Sequence, residues 1–235
     1  MNQPTHVGEY GLARPIEASN VFVARVYRWM GIGLGITAAV AVVIASSPAA
    51  TQLIFGTRYL VLGLIVAQFG LVLGISSAAR SSSAILATGL FVAYAALLGV
   101  TMSAVLLVYT AASVGSTFGV AGGMFGTMSL YGWVTKRDLT SIGSFLIMGL
   151  IGIIIASIVN IFLASPAIYW LLTYAGVGIF LGLTAWDTQK IKNLSTQVDP
   201  DSAQGNSLAI HGALMLYLDF VNLFLFMLRI LGRRR

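Results

Sequence analysis

Two acidic residues interrupt long apolar segments of the sequence. Asp187 closes the segment GIFLGLTAWD, and Asp219 lies in the middle of LYLDFVNLF. The other acidic residues belong to tails or loops and are Glu9, Glu17, Asp138, Asp199 and Asp201. A charged aspartate at the centre of a bilayer costs about 2.5–3.5 kcal/mol on insertion scales, so such residues face the protein interior and mark functional sites. Asp187 and Asp219 are therefore the first candidates for chemistry.

The chemistry of these two carboxyl groups depends on whether they meet. Two carboxyls at hydrogen-bonding distance in a low dielectric share a proton and titrate as a coupled pair, which responds to pH near neutrality. With both groups ionised, their oxygens suit a calcium ion. On antiparallel helices Asp219 would lie about 18 Å from the start of its helix, and Asp187 about 10 Å from the end of its own. This match in depth is imperfect, so the sequence leaves their contact open.

A few further polar residues accompany the pair. Arg80 is expected at the same end of the bundle and is predicted to act as an electrostatic latch on one carboxylate. The remaining candidates along a pathway are Gln68, Asn222, His211 and Arg229. Simpler interpretations stay open for them, because polar side chains in membranes often serve only as hydrogen bonds between helices. Arg229 is expected about 15 Å beyond Asp219 along the same helix, which places it toward the opposite end of the bundle from Arg80.

The composition indicates the elements that must position these residues. Apolar residues make up 58% of the 235 residues and charged residues only 9%, compared with about 25% charged in soluble domains. A membrane helix needs about 20 apolar residues. The charge-free runs therefore predict an all-α integral membrane protein with seven transmembrane helices, at about 22–45, 58–79, 83–107, 112–134, 140–163, 167–191 and 208–231.

The domain organisation predicted from this pattern is simple. Residues 1–20 form a flexible polar N-terminal tail, and residues 21–235 form the membrane domain. Lysines and arginines in the internal loops favour a cytoplasmic N-terminus. The tail arginines Arg233, Arg234 and Arg235 oppose this orientation and indicate contact with anionic lipid. Compact loops and the lack of a signal peptide favour a bacterial cytoplasmic (inner) membrane.

Glycine spacing indicates how the helices pack, and the absence of several motifs excludes classes of enzyme. Pairs four residues apart predict close helix packing, at Gly31/Gly35, Gly70/Gly74, Gly115/Gly119/Gly123, Gly122/Gly126 and Gly178/Gly182. The chain has no cysteine, which excludes thiolate nucleophiles and iron–sulfur clusters. Neither His-Glu-x-x-His nor Gly-x-Ser-Gly occurs. We expect no enzymatic activity, no cofactor and no nucleic-acid partner.

Three segments resemble one known family. TAWDTQKIKN (184–193), ALMLYLDFVNLFLFMLRILG (213–232) and MSLYGWVTKRDLTSIGSFLIMGLIGIIIASIVNIF (128–162) are similar to the Bax-inhibitor family of membrane proteins. The resemblance implies a seven-helix fold whose last helix is central, wrapped by the other six. It also implies a pH-dependent calcium leak with Asp187 and Asp219 as the pH-sensing pair. Related proteins often carry an acid in the second span, where this chain has Gln68.

Two functional hypotheses follow. The first is a passive calcium pathway gated by protons at Asp187 and Asp219. The second is an interaction protein, since the resemblance also implies roles in protection from cell death and in modulating a membrane-bound AAA+ protease. Residues 1–20 would then be the contact. Proton-coupled solute transport would predict internal inverted repeats, and none is seen.

Overall fold

The computed structural model describes the backbone of residues 10–235 and the side chains of residues 18–235. This part of the chain is all-α, and its one extended pairing is an isolated bridge between Tyr109 and Arg234. The helices are α1 (Tyr10–Ala45), α2 (Pro48–Gly56), α3 (Arg58–Arg80), α4 (Ala84–Val108), α5 (Ala111–Val134), α6 (Thr140–Leu163), α7 (Pro166–Ser195) and α8 (Ala203–Leu231).

The described residues thus form eight helices where the sequence predicted seven. The additional helix, α2, has nine residues and is too short to cross a bilayer. Its start carries an ordinary helix signal, because the Ser47 side chain accepts a hydrogen bond from the Ala50 N–H and Pro48 occupies the first turn. The sequence analysis did not predict α2, because the residues around this signal are apolar like those of the neighbouring spans. Residues 1–9 of the predicted tail lie outside the described residues, and the backbone is helical from Tyr10 onward.

Six of the helices are long and apolar enough to cross a membrane: α1 over Ala18–Ala45, α3, α4, α6, α7 and α8. The chain is therefore a multi-pass integral membrane protein. Helix α5 is not among the six, although it has 24 residues and no charged side chain. Its six glycines lower the hydropathy of the segment without shortening it.

Helix α8 is the most enclosed of the long helices. It packs against α1, α3, α4, α5 and α7, and 56% of its apolar window is buried, compared with 6% for α3 and for α6. Helices α3 and α6 leave most of their apolar side chains exposed on the outside of the bundle, which is the surface that faces lipid in a membrane protein. Helix α8 presents most of its side chains to other helices.

Short loops make successive long helices antiparallel, which defines two ends of the bundle. The N-terminal end contains the beginning of α1 and loops 81–83, 135–139 and 196–202. The C-terminal end contains loops 46–57, 109–110 and 164–165 together with residues 232–235. At the N-terminal end the Arg25 guanidinium donates to the carbonyl of Pro200 and to the Asn206 side chain, and pairs with Asp201 at 3.1 Å.

Close approach between helices involves other glycines than those predicted. Most members of the predicted pairs, such as Gly31, Gly70 and Gly122, have open space where a Cβ would lie. The prediction that these pairs pack helices together within the chain is wrong for them, and it holds for Gly182, against Leu146, and for Gly74, against Leu90. The tightest approaches occur at unpaired glycines, among them Gly132 of α5, where a Cβ would overlap the carbonyl oxygen of Ala185.

Candidate functional site

Asp187 lies on the buried face of α7. Its exposed fraction is 8%, and it shares this face with Thr184, Thr188 and Ile191, which are also buried. The Thr188 hydroxyl donates to Ser129 of α5 at 3.3 Å, which ties this turn to the neighbouring helix. The i, i+3/i+4 spacing of these residues explains their common face. An acid at this position is therefore directed toward the interior of the bundle.

Asp219 lies deeper, in the middle of α8. Its exposed fraction is 5%, and its Oδ2 has no hydrogen-bond partner among the described residues. Two residues earlier, the buried Tyr217 hydroxyl shares a 2.5 Å hydrogen bond with Thr37 of α1, whose hydroxyl is also 2.9 Å from the carbonyl oxygen of Ala95 in α4. This connection fixes α8 against two helices immediately beside Asp219.

The fold places the two predicted acids on buried faces of two helices that pack against each other. They come from α7 and α8, which are adjacent antiparallel helices. No hydrogen bond joins the two carboxyls in the described structure, and neither accepts one from another side chain there. Two acids in apolar surroundings without donors are unfavourable when both are charged. This arrangement favours the presence of a proton or a cation.

Lys190 is the neighbouring charge that the sequence analysis did not single out. It follows Asp187 by three residues, so both lie on one side of α7. Its Nζ lies 5.2 Å from the centroid of the Trp186 ring and 3.9 Å from Sδ of Met215 in α8. The ammonium acts electrostatically on Asp187 and on His211. The sequence signal for it is the WDTQK segment, in which a lysine follows Asp187 by three positions.

His211 and Arg80 lie at the N-terminal side of this group. His211 is half-buried, and its Nδ1 has no hydrogen-bond partner among the described residues. Arg80 ends α3, is exposed, and is close enough to act electrostatically on His211. Within residues 18–235 the one ion pair joins Arg25 to Asp201, so Arg80 makes no ion pair with either aspartate here. Its role as a latch stays a prediction.

The other predicted pathway residues have partners other than the two carboxyl groups. Gln68 links α3 to α4 by donating to the Leu97 carbonyl at 3.3 Å and to Thr101 at 3.2 Å. Asn222 is one turn after Asp219 and donates to the Leu218 carbonyl of its own helix at 2.8 Å. Arg229 lies at the C-terminal end, 5.5 Å from the centroid of the Tyr169 ring.

Comparison with known proteins identifies the family of the chain. The model of a family described as "Inhibitor of apoptosis-promoting Bax1" matches residues 19–235. The chain belongs to the Bax-inhibitor family. The match covers every described helix from the membrane part of α1 to the end of α8, so both aspartates lie within the Bax-inhibitor region.

Bacterial proteins resemble the chain over almost their whole length. The inner membrane protein YbhL of Escherichia coli (strain K12) is 50% identical over 225 residues, which cover 95% of this chain and 96% of YbhL. An uncharacterised protein of Borreliella burgdorferi is 45% identical over 216 residues, covering 92% and 93% of the two chains. The uncharacterised protein RP147 of Rickettsia prowazekii is 42% identical over 216 residues, covering 91% and 90%.

The ligand set available in this Bax-inhibitor chain is small. The described residues contain no group of three or more His, Cys, Asp or Glu side chains arranged to hold a metal ion. Calcium ions in resident sites take six to eight oxygen ligands. Two carboxylates alone supply fewer oxygen atoms than such a resident site needs.

Proposed function

We propose that the chain is a passive, pH-sensitive cation pathway, with calcium as the transported ion and Asp187 and Asp219 as the gating pair. The observation that carries this proposal is the presence of two buried acids on two helices that pack against each other, without side-chain hydrogen-bond donors among the described residues. Structural packing alone gives no reason for two such groups, whereas proton binding and cation binding both do. The proposal is for a channel and not an enzyme.

The mechanism follows from the charge on the pair. When both carboxyls are ionised, the pair attracts a cation into the space between α7 and α8. When a proton is shared, that attraction falls and the two helices can approach more closely. Opening is then a shift between two packings of α7 and α8, biased by proton number. Arg80 would act as the latch that holds one carboxylate in the closed arrangement.

The proposal includes a topology. Helices α1, α3, α4, α5, α6, α7 and α8 would cross the membrane, α8 would be the central helix, and the N-terminus would lie in the cytoplasm. The number of crossings depends on α5, whose glycines lower its hydropathy but whose 24 residues are long enough to cross. The similarity to the inner membrane protein YbhL supports location in a bacterial inner membrane.

Calcium entry into proteoliposomes tests the gating pair. Purified full-length protein is reconstituted around a trapped calcium indicator, and initial entry rates are measured from pH 6 to pH 8 for the natural sequence, Asp219→Asn and Asp199→Asn. We expect the rate to change with pH in the natural sequence and to be independent of pH in Asp219→Asn, because the amide cannot exchange a proton. Asp199→Asn is the matched control in an exposed loop and should retain the pH dependence.

Two results would contradict the gating proposal. If Asp219→Asn followed pH as the natural sequence does, the pair would not be the sensor. If folded protein of the natural sequence carried no calcium at any pH, the channel function itself would be wrong.

A second candidate function is regulation of a membrane-bound AAA+ protease. The observation that favours it is the length of α1, whose 36 residues from Tyr10 to Ala45 exceed the about 20 residues that one membrane crossing needs. A helix that continues beyond the membrane offers a contact for a partner. Deleting residues 1–17 should then abolish co-purification of the protease while calcium entry is retained, and unchanged co-purification would exclude this contact.

A further inference from the structure

An apolar groove lies between α1, α4, α5 and α8, and neither Asp187 nor Asp219 lines it. Its volume is about 240 Å³, and its walls include Ala38 of α1, Val105 of α4, Phe118 of α5 and Phe224 of α8. Ala38 and Phe118 are exposed, so the groove opens at the outer surface of the bundle. In a membrane protein that surface contacts lipid chains. The shape and polarity of the groove therefore suit a hydrocarbon chain.

The C-terminal arginines are fixed at one end of this groove by backbone hydrogen bonds. The Arg233 N–H donates to the Ser113 hydroxyl at 2.8 Å, and the Arg233 carbonyl accepts from the Thr110 N–H at 3.0 Å. The Arg235 N–H donates to the Val108 carbonyl at 2.9 Å. Val108 ends α4 and Ser113 lies in the first turn of α5, so the arginine segment spans the two helices whose facing sides form the groove walls.

The charge at this end of the bundle is strongly positive. Five arginines lie there, at Arg58, Arg229, Arg233, Arg234 and Arg235. Every aspartate among residues 18–235 lies elsewhere, either in the buried pair or in the loops at the N-terminal end. The side chains of Arg233, Arg234 and Arg235 are exposed. A negatively charged group is thus attracted to the mouth of an apolar groove.

We infer that this surface binds one anionic phospholipid, with an acyl chain in the groove and the phosphate against Arg233–Arg235. A guanidinium binds phosphate oxygens through paired N–H groups, and basic residues at a membrane surface attract anionic headgroups. The occupant is a membrane lipid because the arginine segment is bonded to Ser113, next to the groove residue Val114, so that charged and hydrocarbon-sized parts lie at one end of the bundle. The site does not depend on the gating pair.

Native mass spectrometry of the full-length protein in neutral detergent tests this inference. The protein is titrated separately with dioleoyl phosphatidylglycerol and with dioleoyl phosphatidylcholine, which have the same chains and differ in net charge. We expect the first phosphatidylglycerol to bind about tenfold more tightly than the first phosphatidylcholine, because each arginine at such a surface contributes about fivefold and partial screening reduces the total.

Two pairs of variants separate the headgroup from the chain. Replacing Arg233, Arg234 and Arg235 by Gln should lower the phosphatidylglycerol affinity to that of phosphatidylcholine, whereas the control Lys136→Gln/Arg137→Gln at the opposite end should retain the preference. Ala38→Phe should fill the groove and weaken both lipids. Ala39→Phe, exposed on the same helix but outside the groove, should bind as the natural sequence does.

Several outcomes would overturn the inference. Equal affinity of the natural sequence for both lipids would mean that no anionic site exists. A preference that survives the triple arginine replacement, or that is lost in the Lys136/Arg137 control, would place the headgroup elsewhere. Normal binding by Ala38→Phe would show that the chain does not enter the groove. If Ala38→Phe fails to fold, the arginine variants still test whether an anionic headgroup binds at Arg233–Arg235, because they alter only exposed side chains of the tail.

Discussion

At the scale of single residues, the charge closest in sequence to the gating pair is Lys190. Its ammonium lies over Trp186, beside Met215 of α8, and acts on Asp187. A positive charge favours the ionised form of a nearby acid. Lys190 is exposed, so solvent screens this effect, and it adjusts the proposed sensor without creating it.

Lys190→Gln should therefore displace the pH profile of calcium entry. Without the ammonium, a proton remains on the pair to higher pH, and the midpoint should move upward by about 0.5 pH unit, whichever direction the rate takes with pH. The measurement is the proteoliposome entry rate from pH 6 to pH 8 at low salt. Lys192→Gln is the control, because the Lys192 ammonium instead lies 5.5 Å from the centroid of the Trp133 ring. A midpoint that does not move, or that moves equally in both variants, would exclude this role for Lys190.

At the scale of helices, the position of Asp187 depends on how closely α5 and α7 approach each other. Gly132 of α5 faces the backbone of Ala185 in α7, two residues before Asp187, and leaves no space for a methyl group. The glycine spacings visible in the sequence did not identify this position. A glycine permits close helix packing only where a second helix lies against it. The sequence does not show which face of α5 has such a neighbour.

Gly132→Ala should destabilise the protein by about 1–3 kcal/mol, because the added methyl group forces α5 and α7 apart. Thermal unfolding in detergent measures the loss, and calcium entry should lose its normal pH profile because Asp187 moves with α7. Gly126→Ala is the matched control in the same helix, with open space at the Cβ position. Equal unfolding temperatures for the two variants would show that this contact is not tight in solution.

At the scale of the whole molecule, Arg25 connects the first helix to the loop before the last one. Its guanidinium contacts Pro200, Asp201 and Asn206, and 15% of its side chain is exposed. The Asp201 side chain is 83% exposed, so the ion pair itself contributes little. The hydrogen bonds to Pro200 and Asn206 hold the loop to α1 and thereby restrain the start of α8.

Arg25→Gln should loosen that loop, with a loss of about 1–3 kcal/mol from charged hydrogen bonds. Limited proteolysis between residues 196 and 206 should become faster than in the natural sequence. Arg28→Gln, exposed and without a hydrogen bond among the described residues, should be cleaved at the natural rate. Unchanged cleavage of Arg25→Gln would show that the loop is held by other contacts.

The proposed topology is also a property of the whole molecule. Because the chain has no cysteine, single introduced thiols report their own positions. Thr57→Cys at the C-terminal end should react with a membrane-impermeant maleimide on intact spheroplasts, and Thr196→Cys at the N-terminal end should react only after lysis. Both positions are exposed. Reaction of both from the same side would contradict the proposed crossing of the helices between them.

The sequence by itself determined the class of protein, most of the long helices and the two candidate acids. These properties are local: the length of an apolar run decides whether a helix can cross a bilayer, and the cost of a charge in lipid identifies Asp187 and Asp219 wherever their neighbours lie. The same local reasoning missed α2, because a nine-residue helix between apolar segments does not change the composition.

Only the tertiary structure decided which groups meet. Four features all involve contacts between different helices: the burial of Asp187 and Asp219 on the packed helices α7 and α8, the position of Lys190 against Met215, the enclosure of α8, and the groove near the arginine segment. Their partners are set by the rotation and depth of each helix. In lipid, the rotation and depth of a helix depend on how closely its side chains pack against neighbouring helices. Apolar content does not decide them, because it is similar on every face of a membrane helix.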